Sequence, residues 1–145
     1  ISHGCSIVPS SKNITVDFGQ ISTRTLYAEG KSQPKAFVIE LQDCSTDVFN
    51  SVTVTFSGTE NTNMSDRLAI TPVAPQTASG IGIGFEESNG TAILLNTPTT
   101  AVAISDANMQ LNFKAFVEGE PDALSNKTLE TGAFQATANY TLNYQ

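Results

Sequence analysis

Residues 134–145 read FQATANYTLNYQ, and their pattern decides the fold class. Phe134, Ala136, Ala138, Tyr140, Leu142 and Tyr144 alternate with Gln, Thr and Asn up to the last residue. A period of two belongs to a strand with one buried and one wet face, because successive side chains of an extended chain leave on opposite sides. The pattern predicts an amphipathic β-strand that closes the chain. Such a strand needs hydrogen-bonded neighbours on both edges, or something that covers the open one.

Upstream, strand-like runs rich in Val, Ile, Thr and Phe follow one another: NITVDFGQI (13–21), AFVIELQD (36–43), SVTVTFSG (51–58), RLAITPV (67–73), GIGIGF (80–85), TAILLN (91–96) and MQLNFKAFVEG (109–119). Each run proposes one inward face, with Ile14, Val16 and Phe18 in the first, Phe37, Ile39 and Leu41 in the second, and Val52, Val54 and Phe56 in the third. Leu111, Phe113, Ala115 and Val117 do the same near the end. No stretch carries a helical stripe. Short strands between Gly, Pro, Asn and Ser turns, in a chain of 145 residues, predict one all-β sandwich domain rather than a barrel of long strands. The polar segments ENTNMSDR (60–67) and EGEPDALSNKT (118–128) read as loops, and PVAPQTASG (72–80) as an irregular crossing.

A hydrophobic content of 39% supports a core, although there is no Trp to anchor it. A net charge of -7 with seven Lys plus Arg argues against binding to phosphate backbones or anionic membranes, since both need clustered cations. No apolar run approaches the roughly 20 residues that span a bilayer. The start at Ile1 and the lack of a charged-then-apolar leader suggest a soluble chain from which a signal peptide has been removed or trimmed.

Cys5 and Cys44 both stand beside predicted strands. A disulfide between them would close a loop of about 40 residues, worth roughly 4 kcal/mol in the chain-entropy picture. Two unpaired buried thiols are the alternative. His3 is the single histidine and has no second ligand at metal-binding spacing, so no metal is expected. The same shortage removes a serine-hydrolase reading, and no Gly-x-Ser-x-Gly elbow is present. Glu86 and Glu87 are adjacent and would face opposite sides of a strand, unlike a catalytic carboxylate pair. GIGIG (80–84) has neither the spacing nor the strand-turn-helix setting of a dinucleotide loop; as a strand it has one apolar face and one face bare of side chains, suited to close approach by another backbone. Glu118, Glu120 and Asp122 lack the spacing of a calcium loop and read as a solvated turn. Five Asn-x-Ser/Thr matches, at Asn13, Asn63, Asn89, Asn126 and Asn139, follow from an Asn- and Thr-rich composition. No active site and no cofactor site emerge.

Taken in order, Cys5, VDFGQI (16–21), FVIELQDC (37–44), VTVTFSGT (52–59), ASGIGIGF (78–85), NGTAILLNTP (89–98), LNFKAFVEG (111–119) and FQATANYTLNYQ resemble the pilin domain of bacterial chaperone-usher pilus subunits, of the type 1 and P pilus kind. The most specific element is the C-terminal signature of that family, a penultimate aromatic and a glycine fourteenth from the end, filled here by Tyr144 and Gly132. The resemblance implies an incomplete immunoglobulin-like β-sandwich that lacks its seventh strand and leaves a hydrophobic groove beside the final one. In the family a periplasmic chaperone lends a strand to that groove and holds the C-terminal carboxylate with basic residues. At the outer-membrane usher, the N-terminal extension of the next subunit replaces it, which is assembly by strand addition.

Carried onto this chain, Phe134, Ala136, Ala138, Tyr140, Leu142 and Tyr144 form the final-strand face toward core and groove. Ile7, Ile14, Val16 and Phe18 line the opposite side, with core contributions from Leu111, Phe113 and Val117. Gln145 offers the carboxylate to the chaperone. The implied function is a structural subunit of an adhesive pilus, passing through the periplasm to the extracellular bacterial surface. One departure matters: only ISHG (1–4) precedes Cys5, where the family has a donor extension of alternating hydrophobic residues. Four residues cannot fill a groove. Either the extension has been removed, or the chain is the pilin domain of a two-domain tip adhesin; both leave acceptance of a donor strand intact. A carbohydrate-binding adhesin module is the competing class, against which the absence of Trp counts.

Overall fold

The computed structural model describes residues 4–145; His3 and the rest of the lead before Gly4 lie outside the described residues. The strands are β1 (Ser6–Ile7), β2 (Lys35–Gln42), β3 (Ser51–Ser57), β4 (Leu68–Ala69), β5 (Thr71–Pro72), β6 (Ile81–Glu87), β7 (Ala92–Ile93), β8 (Val102–Ala103), β9 (Met109–Gly119), β10 (Phe134–Gln135) and β11 (Asn139–Tyr144). One sheet runs β1-β2-β9-β6-β4, with β7 also on β6; the other runs β11-β3-β8, and β10 pairs with β5. Every pairing is antiparallel.

The alternations of the sequence become the core. On the first sheet Ile39, Leu41, Ile81, Ile83, Phe85, Leu111, Phe113, Ala115 and Val117 are buried; on the second, Val52, Val54 and Phe56 are. Phe56 joins the layers: it stacks on Phe85 with centroids 4.7 Å apart and meets Phe113 edge-on at 5.3 Å. Phe37 adds further edge contacts to Phe56 and Phe85. Phenylalanines thus supply the aromatic anchor that the missing Trp would have given, each such pair adding about 0.5–1.5 kcal/mol beyond its area. A disulfide links Cys5 and Cys44 across 39 residues, tying the first strand to the end of β2.

Four sequence expectations change. Two short helices occur, α1 (Thr23–Glu29) and α2 (Pro121–Asn126), the second inside the segment read as a loop. With seven and six residues, neither is long enough to build a recognisable stripe, and local chemistry starts them: the Ser22 hydroxyl accepts the Arg24 N–H, and proline opens α2. The bare face of GIGIG is covered mainly by side chains, the Phe116 ring and Arg67 over Gly84 and Met64 with Asn61 over Gly82, although the Leu68 carbonyl also approaches Gly82. The acidic turn is engaged rather than solvated, since Glu118 pairs with Arg67 and Glu120 accepts from Asn61 and Asn63. Finally, neither 13–21 nor 134–145 is one continuous paired strand.

Candidate functional site

The candidate site lies along β11, whose tyrosines reach residues 4–11. Gln145 and Ser51 exchange reciprocal backbone bonds of 2.9 and 3.1 Å, so they form a hydrogen-bonded pair of the β11-β3 ladder. In an antiparallel ladder such pairs alternate with non-bonded ones. The register therefore makes Asn143 opposite Thr53 and Thr141 opposite Thr55 bonded pairs. Tyr144, Leu142 and Tyr140, opposite Val52, Val54 and Phe56, turn their own N–H and C=O groups away from β3. β11 is the end of its sheet, so that row of backbone groups has no ladder partner among the described residues.

Burial carries the same asymmetry. Val52, Val54 and Phe56 are 0%, 1% and 3% exposed, whereas Tyr140, Leu142 and Tyr144, on the same face and the same rungs, are only half-buried. The difference is the neighbour each strand has: β3 lies between two strands, and β11 has one.

The segment that precedes α1 shows a similar pattern. From Ile14 to Ile21 the chain belongs to no strand, yet Ile14, Val16 and Phe18 are half-buried against the core while Thr15 and Asp17 are exposed. A period of two without a ladder is extended backbone with one face against the core. Ile7 sits in β1 opposite Leu41, half-buried. Leu111, Phe113 and Val117 occupy β9 and belong to the closed core rather than to the open edge.

Two tyrosine hydroxyls reach from β11 to residues 5–11. Tyr140 donates to the Ser11 carbonyl at 2.6 Å, and Tyr144 donates to the Cys5 carbonyl at 3.3 Å. Burial pushes both phenols above their ordinary pKa. The Tyr144 ring also rests against Phe49, with centroids 5.5 Å apart, and lies on Gly4 so closely that a β-carbon there would overlap it. The penultimate aromatic thus fastens the end of the chain to its beginning, beside the disulfide.

The N-terminal half of the closing stretch departs from the expected single face. Phe134 is half-buried, but Ala136 is exposed and Ala138 regains partial burial. Phe134 and Gln135 pair with β5, and the chain then crosses closely over Gly58 before joining β3. A change of partner rotates the backbone, so the alternation lapses for Ala136. Gly132 adopts φ +141 beside Gln76 and Ala78, a backbone region that side chains disfavour. At Gln145 one terminal oxygen already accepts from the Asn50 and Ser51 N–H groups, at 2.6 and 3.1 Å, while the residue itself is exposed. Sequence reasoning missed Gly4, Ser11 and Phe49, which touch the two tyrosines.

A family model for fimbrial proteins matches residues 1–145. The chain is 41% identical over 145 residues to a Proteus mirabilis protein named a minor fimbrial subunit, PmfF, covering 100% of this chain and 80% of that one. It is 35% identical to the major MR/P fimbria protein of the same organism, covering 97% of this chain and 77% of that one. Among solved structures it superposes on the P pilus rod subunit PapA with a TM-score of 0.82 and 27% identity, over 99% of this chain and 100% of that one. An immunoglobulin-like sandwich whose last strand ends its sheet, matched along its full length by fimbrial subunits, identifies the chain as a member of the fimbrial protein family.

Proposed function

We propose that the chain is a structural subunit of an adhesive bacterial pilus, and that the open edge between residues 14–18 and β11 receives a β-strand from another polypeptide. A periplasmic chaperone occupies the edge first, and the N-terminal extension of a neighbouring subunit replaces it at the outer-membrane usher. The observation that supports this most directly is the contrast across one ladder, where inward residues of β3 are buried and those of β11 directly opposite are not.

Magnitudes say what kind of strand is required. Three inserted aliphatic side chains gain about 5–9 kcal/mol by burial. Ordering six residues costs about 6–12 kcal/mol in backbone entropy. Side chains alone do not hold the strand; ladder bonds of about 1 kcal/mol each, made to both walls, tip the balance. The partner must therefore be extended and apolar at alternate positions. The exposed Gln145 carboxylate keeps acceptor capacity for a basic residue of the chaperone, in addition to its two backbone bonds. Coexpression with a periplasmic pilus chaperone tests the reading: a one-to-one complex should copurify, and a stable monomer that captures no chaperone and no donor peptide would reject it.

A further inference from the structure

The two tyrosine bonds that cross the open edge end on fixed points. Ser11 is only 3% exposed, its N–H is bonded to the Val8 carbonyl at 2.8 Å, and its hydroxyl accepts the Glu40 N–H at 2.8 Å. Cys5 is held by the disulfide, and the neighbouring Gly4 carbonyl accepts the Ser45 N–H. Between these anchors and α1, residues 14–21 belong to no ladder. Tyr140 and Tyr144 are therefore the side chains that tie β11 to residues 5–11 by hydrogen bonds among the described residues.

We propose that Tyr140 and Tyr144 form a two-point latch, their hydroxyls closing the empty edge onto the Ser11 and Cys5 carbonyls, and that an incoming strand must break both bonds before it pairs with β11. The proposal rests on the strand-acceptance reading above. The latch gives the empty subunit a resting state in which the carbonyls of two buried residues and two half-buried hydroxyls are satisfied, so it slows capture while protecting the free form. A tyrosine hydroxyl is protonated and able to donate at neutral pH in any case, and burial moves both phenols further from ionising.

The test uses Tyr140→Phe and Tyr144→Phe, which keep the rings and remove only the hydroxyls. Uptake of a fluorescent donor-strand peptide with alternating apolar residues is followed by stopped flow, and melting is measured for the empty and peptide-filled protein. Each substitution should speed uptake about fivefold, the factor matching one typical hydrogen bond. Each should lower the melting temperature of the empty protein and leave that of the filled protein unchanged. Unchanged uptake rates, or an equal loss of melting temperature in both forms, would make the hydroxyls permanent struts and overturn the latch while leaving strand acceptance standing. Wild-type protein that takes up no peptide would overturn strand acceptance itself, and the latch with it.

Discussion

Tyr144 does its work through a residue with no side chain. Its ring occupies the space that a β-carbon at Gly4 would need, and Phe49 closes the other side. Gly4→Ala must push the ring out of this sandwich, an overpacking cost of about 1–3 kcal/mol. Urea unfolding of that variant should show the loss, and an unchanged midpoint would mean that the ring is free to move. Tyr144 and Gly132 were legible in the sequence because their positions relative to the end of the chain form a signature. Gly4 and Ser11 were not. One acts by lacking an atom and the other largely by offering a backbone carbonyl, and neither property distinguishes a glycine or a serine in a sequence from any other.

β11 and the segment before α1 are the same kind of object read in two states, one paired on a single edge and the other on none. Both keep a period-two burial pattern, which is why both were legible as strands; their missing partners were not, because alternation reports which face is buried and not what lies beside the strand. The break at residues 136–138 was hidden for a related reason. A run can alternate in sequence while the chain changes partner from β5 to β3. The short helices were invisible because they rest on caps rather than on a stripe. At this scale Leu142→Ala should weaken donor-peptide binding about tenfold or more, since an inward leucine contributes about 1.5–3 kcal/mol when buried. Asn143→Ala, exposed on the outer face, should leave binding unchanged. Isothermal titration separates the two, and equal effects would contradict the alternation.

For the whole molecule, the all-β sandwich followed from composition and period, and the order of motifs led to the family. The disulfide was one of two readings open to the cysteine pair, and it takes part in the site by fixing Cys5 under Tyr144. Its loss removes a 39-residue constraint from the unfolded chain and should cost a few kcal/mol, about 4 in the chain-entropy picture. Denaturation of the peptide-filled protein with and without reductant would register this, and identical curves would mean that the bridge adds nothing. If two unpaired backbone rows receive one strand, as proposed, amide hydrogen exchange measured residue by residue before and after adding a donor-strand peptide reads both rows at once. Without peptide the amides of Tyr140, Leu142 and Tyr144 should exchange fast and those of Thr141 and Asn143, bonded to β3, slowly. With peptide, the three fast amides and alternate amides of residues 14–18 should become protected together; protection of one wall alone, or of neither, would contradict the account.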